Sequence, residues 1–203
     1  MAEKIVIDIY RKKPLDELTE ILSRPDSKLE TGSSSAAVAT MAAALLVRGA
    51  SLLSERGVTG ERIDYIIRNS EKLRDYMYYL IDEDVKCRGP IKKALAEDDP
   101  VHIEACIQPA TAICSEIIGM MLNLLNLAAE LCSLGGENLP HYIFEASDYA
   151  MSSIRSSASY ILSMISLSTD DTYIYVTKRE NEITYKEAEK AYNTVRSYYS
   201  LPF

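Results

Sequence analysis

Apolar residues recur at helical spacing along most of the chain. Leu15, Leu18, Ile21 and Leu22 follow Pro14 and predict a first helix that stops before Pro25. An Ala-rich helix is expected from Ser35 to about Arg56, ended by Gly57 and Gly60. Ile63, Ile66, Ile67, Leu73, Met77, Leu80 and Ile81 mark a third helix, running to the acidic cluster Asp82, Glu83 and Asp84. Gly89 and Pro90 punctuate the chain there, and a short helix is expected over Ile91 to Glu97. Pro100 to Leu134 reads as one long helix that is apolar almost all round, which places it at the centre of the fold. Pro109 is expected to kink it, and Gly135 and Gly136 to end it. His141 to Ser168 predicts a further helix with a small face of Ala146, Ala150, Ser153 and Ser157. Thr184 to Tyr199 predicts an amphipathic helix docked on the rest. Two short pieces alternate instead, Ile5 to Tyr10 and Tyr173 to Val176, and read as strands pairing with each other or with a second subunit. The fold class is therefore all-α, a multi-helix bundle with a long kinked central helix and at most a two-stranded β ribbon.

Composition narrows the function classes. The chain has 203 residues, 47% of them apolar, enough for one domain with a real core. A net charge of -8 without any Lys/Arg-rich block argues against nucleic acid or an anionic membrane surface as partner. Cys87, Cys106, Cys114 and Cys132 form no C-x-x-C pair, and the opening MAEKIVIDIY lacks the regions of a signal peptide, so a reducing cytoplasm is expected. Arg48 ends the Ala-rich helix, and Asn123, Asn126 and Glu130 interrupt the central one, so neither reads as a membrane span. His102 and His141 have no companions at metal-ligand spacing, and no metal or other cofactor is expected. The glycine signatures of serine hydrolases, P-loop proteins and dinucleotide-binding domains are absent.

Three features carry candidate chemistry. Gly32, Ser33, Ser34 and Ser35 form a Gly/Ser turn running into the Ala-rich helix, a place for backbone N–H groups to meet an anion or for a serine simply to cap a helix. Ser147 and Asp148 form an S-D pair, and Arg155 follows Asp148 by two turns on the same face. Fourteen tyrosines stand against two phenylalanines and no tryptophan, and amphipathic aromatics suit either half-buried packing or a subunit interface.

In order and spacing, LDELTEIL (Leu15 to Leu22), GSSSAAVATMAAALL (Gly32 to Leu46), LIDEDVKC (Leu80 to Cys87), QPATAICSEII (Gln108 to Ile118) and SDYA (Ser147 to Ala150) resemble the cyclodeaminase/cyclohydrolase family. That family comprises the C-terminal domain of formiminotransferase-cyclodeaminase and the bacterial methenyltetrahydrofolate cyclohydrolases. The similarity spans roughly residues 14 to 180. Of the family's G-G-G-S only Gly32 and Ser35 remain, LET (Leu29 to Thr31) stands for the preceding P-T-P, and SLSTD (Ser166 to Asp170) for the Asn-rich segment.

The resemblance implies an enzyme of one-carbon folate metabolism, either closing 5-formiminotetrahydrofolate with loss of ammonia or opening the 5,10-methenyl form with water. It implies a small-molecule folate as substrate, no cofactor, and a homodimer of helical subunits. It assigns proton transfer or pterin binding to Asp148 and a second acid to Asp84. Substrate binding falls to Gly32, Ser33, Ser34, Ser35, Ser147 and Arg155, with Lys86, Arg88 and Arg48 as further counter-charges. The alternative is a non-catalytic helical folate-binding or assembly protein that keeps the fold with a degenerate site.

Overall fold

In the computed structural model, which describes residues 9–136 and 139–199, a 3₁₀ turn at Tyr10–Lys12 precedes six α-helices: α1 (Leu15–Leu22), α2 (Thr31–Glu55), α3 (Glu61–Ala96), α4 (Pro100–Gly135), α5 (His141–Ile165) and α6 (Asp171–Ser197). No strand occurs among the described residues. Residues 5–8 of one expected strand lie outside them, and its last residue, Tyr10, opens the 3₁₀ turn. The other, Tyr173–Val176, is the first turn of α6. Asp170 overrides the alternating pattern there by accepting the backbone N–H groups of Thr172 and Tyr173 at 2.9 and 3.0 Å, a full N-cap. Asp99 does the same for α4, ahead of a proline at the first helical position.

α6 begins at Asp171 and not at Thr184, and two further boundaries differ from the sequence reading. α2 begins at Thr31, so the expected Gly/Ser turn is already helix. α3 does not stop at Gly89 and Pro90 but runs through them. Pro90 faces solvent, where its missing N–H costs least, and the turn beyond it is held by buried Ile91 and Ala94 and by Lys92, which donates to the Ser27 carbonyl at 3.1 Å. α4 likewise continues past Pro109, which is also exposed. Gly136, with φ +62°, then turns the chain, and a Cβ on Gly135 would lie 2.5 Å from Leu139 and 2.9 Å from Leu53.

α2 and α4 are long and apolar enough to cross a membrane by composition alone. In this fold they are the centre of the bundle: α2 packs on α3 and α5, α4 on α3 and α5, and α6 lies across α4 and α5. α2 and α5 pack along much of their length and both bury small residues, Ala36, Ala39, Ala43 and Gly49 on one and Ala146, Ala150 and Ser153 on the other. At Gly49 a Cβ would come within 2.6 Å of Ile143.

Buried or hydrogen-bonded acids shape the response to alkali, and burial raises the Tyr199 phenol among them. Burial pushes the thiols of Cys114 and Cys132 and the phenol of Tyr160 up to about 12, Arg88 opposing the shift at Cys114 and Tyr160. Tyr76 reaches about 12 chiefly through its hydrogen bond to Glu116, 2.6 Å. The native chain therefore holds protons that the unfolded chain releases from about pH 8.5 to 10 upward, so their contribution is complete below that range and lost as pH climbs toward about 12. The urea midpoint should accordingly fall between pH 7.5 and pH 10.5, and less steeply in Cys132→Ala. A flat profile would contradict the assignment.

Candidate functional site

The first turn of α2 meets the last third of α3 in a buried polar cluster. Asp84 has no solvent exposure. Its Oδ2 accepts from the backbone N–H and from the hydroxyl of Ser33, both at 2.8 Å, and its Oδ1 accepts from Arg88 Nε at 2.9 Å. The serine and the aspartate are 51 positions apart in sequence. Their meeting depends on Gly32: a Cβ there would lie 2.0 Å from Asp84 Oδ1 and 2.4 Å from its Cγ. The carboxylate thus takes the position of an anion at a helix N-terminus, where N–H groups and helix dipole favour negative charge.

Arg88 lies one turn along α3 and is 2% exposed. Its guanidinium reaches Asp84, donates through Nη1 to Glu30 Oε2 at 3.0 Å, and places Nη2 4.0 Å from Cys114 Sγ. Its carbon sits 3.6 Å from the centre of the Tyr160 ring, a cation–π contact in a dry setting. Burial opposes the charge, but the Asp84 carboxylate and the neighbours behind it hold the guanidinium above its ordinary value. Glu30 also pairs with Lys92 at the rim. Asp84, Arg88, Glu30 and Lys92 together balance their charges.

The other expected site residues fall elsewhere. Ser34 donates its hydroxyl to the Thr31 carbonyl at 3.1 Å, and Ser35 Oγ is buried without a partner. Ser147 is buried and donates back to the Ile143 carbonyl at 2.9 Å, a local helix contact. Asp148 accepts from the Tyr192 hydroxyl of α6, and Arg155 Nε donates to the Tyr185 hydroxyl at 3.3 Å. These are two successive rungs between antiparallel helices, seven residues apart on each. Twelve residues separate Asp148 from Tyr160, about 18 Å along α5 at 1.5 Å per residue. So Asp84 joins Gly32 and Ser33, while Asp148 and Arg155 form part of the α5–α6 seam and do not join them.

Arg88 stood in the sequence as one counter-charge among several; Glu30, Cys114 and Tyr160 were not singled out. The Asp84/Arg88 spacing of four along a helix was the available signal. His102 is exposed beside Asp99, the four cysteines are free thiols, and no group of metal-ligating side chains occurs among the described residues.

Known proteins show the same arrangement of helices. A family model described as Formiminotransferase-cyclodeaminase matches residues 14–183, a span that holds every residue of the cluster. The solved structure of formiminotetrahydrofolate cyclodeaminase from Thermotoga maritima superposes with a TM-score of 0.85, covering 92% of this chain and 96% of that one at 18% sequence identity. At that identity the likeness speaks for the fold. No curated protein matches the chain.

Proposed function

The chain belongs to the formiminotransferase-cyclodeaminase family, and from that premise we propose that it acts on the one-carbon bridge of a tetrahydrofolate, as a methenyltetrahydrofolate cyclohydrolase or a formiminotetrahydrofolate cyclodeaminase. The observation that carries this reading is the contact of Asp84 with Ser33, because it brings the small-residue start of α2 and an acid from α3 to one point. A carboxylate at Asp84 suits a cationic amidinium carbon. In the hydrolytic direction, water adds to that carbon, Asp84 takes one proton from the water and passes it to N5 as the C–N5 bond breaks, and the remaining hydroxyl proton leaves to solvent as the formyl C=O forms. In the cyclising direction, N10 attacks the formimino carbon, the N10 proton and one from solvent pass to the formimino nitrogen, and that nitrogen departs as ammonia as the 5,10-methenyl cation forms. Ser33 orients the Asp84 carboxylate in both. Asp148 and Arg155 take no part in either step.

A second reading has an observation of its own. Asp84 is sealed from solvent and both of its oxygens are engaged by the chain's own groups, as in a folate-binding or assembly protein whose site is filled from within. The two separate on the decay of 5,10-methenyltetrahydrofolate absorbance and on ammonia release from 5-formiminotetrahydrofolate. Acceleration by the wild-type chain that is lost in Asp84→Asn and kept in Asp148→Asn is the expected result. Folate binding without acceleration would establish the second reading, and neither binding nor acceleration would sink both.

Exposed Tyr65, Tyr76 and Tyr79 on α3 support a further part of the proposal, a homodimer through that helix. The free thiols suit a reducing compartment.

A further inference from the structure

Between α5 and α6 lies a groove of about 550 Å³, within the range of small-molecule sites. Its apolar wall is Ala158 and Leu162 of α5 and the ring of Tyr185 on α6, with Leu162 42% exposed. Arg155, Lys178 and Lys186 border it. Among the described residues neither lysine has a carboxylate within ion-pair distance, and the groove's two carboxylates are Glu182, 3.5 Å from Arg179, and Glu189. The groove thus sets three cations against two carboxylates, a local positive balance in a chain of net charge -8.

The groove also holds an unmet polar atom. Asn181 donates through Nδ2 to the Ala158 carbonyl at 3.3 Å, which fixes the amide's orientation and leaves its Oδ1 buried with no partner. A buried acceptor left unpaired costs about 1–3 kcal/mol. No donor among the described residues reaches it.

We propose that this groove is a binding site for a small planar aromatic anion that carries an N–H donor. The ring lies against Ala158, Leu162 and Tyr185, the anionic group faces Arg155, Lys178 and Lys186, and the N–H meets Asn181 Oδ1. The site is independent of the folate reading. Arg155, Ala158 and Leu162 point from α5 toward α6, whereas Tyr160 on the same stretch turns to Arg88.

The test uses 8-anilinonaphthalene-1-sulfonate, an aromatic sulfonate with one N–H, titrated into the native full-length chain by fluorescence and calorimetry. One saturable site per chain is expected. Lys178→Glu with Lys186→Glu should weaken binding about tenfold or more, while Lys72→Glu, exposed on α3, should leave it unchanged. Asn181→Leu should weaken binding and at the same time raise Tm, because it removes the unpaired oxygen; a variant that merely loosened the fold would lower Tm. Many weak dye sites, or equal binding in all variants, would overturn the proposal. So would the absence of dye binding together with a change of oligomeric mass in the lysine variants, which would assign the groove to a second copy of the chain.

Discussion

Replacing Asp84 by alanine is expected to destabilise the native chain by about 3–5 kcal/mol, because it leaves the Arg88 guanidinium buried with only a rim carboxylate to face. Against a typical total of about 5–15 kcal/mol, that is a large share. Three hydrogen bonds vanish with the side chain, two from Ser33 and one from Arg88, and none of the three donors has water to turn to. Removing both charges should be milder: Asp84→Leu with Arg88→Met replaces the ion pair by apolar groups of similar bulk, an exchange often near neutral, so the remaining loss is that of the two Ser33 donors left unpaired. Urea unfolding of the single and double variants measures both. A loss below about 1 kcal/mol in Asp84→Ala would mean that Glu30 alone satisfies Arg88.

The second large effect is expected at Gly32→Ala. A methyl group there would stand 2.0 Å from Asp84 Oδ1, and the short carboxylate is fixed at both oxygens, so it yields only by giving up its bonds. Overpacking of this kind typically costs about 1–3 kcal/mol. The two substitutions should also be strongly non-additive. With Asp84 already alanine the clash disappears, so Gly32→Ala should cost little in that background, giving a coupling energy on the order of 1–3 kcal/mol. Additive losses in the double-mutant cycle would show that α2 relieves the contact by shifting its backbone.

Most of the fold was legible in the sequence, because prolines and glycines bound the apolar periods closely. Leu15–Leu22 between Pro14 and Pro25, and the long central helix ended by Gly135 and Gly136, are found where their patterns place them. Local signals failed where distant contacts decided the outcome. Nothing near Thr31 announces that an aspartate 51 positions after Ser33 will sit on the first turn of α2 and draw it into the helix. Nothing near Gly89 announces that Lys92 will be held at Ser27 and Glu30, carrying α3 past a proline. At Tyr173–Val176 the alternation was genuine, but the cap at Asp170 was the stronger signal.

The candidate site was legible by halves. Gly32 and Ser33 stand out in the Gly/Ser turn and Asp84 through the resemblance, and they do meet. Asp148 and Arg155 were equally visible as a pair on one helix face, but spacing along α5 says nothing about which neighbour that face meets, and the neighbour is α6. Cys114 and Tyr160 look like ordinary core and interface residues until the fold brings Arg88 between them.

The alanines of α2 carry little information about alignment by themselves, and beyond the close seat of Gly49 on Ile143 a slip by one turn would bring small residues onto other small residues. The charges do not share that tolerance. A one-turn slip, about 5.4 Å, would take Ser33 off the Asp84 carboxylate and Glu30 off Arg88, leaving the Asp84–Arg88 pair of α3 buried without its partners from α2. The cluster thus supplies a registration mark written in charge, and it can be read only after α2, α3, α4 and α5 have all docked.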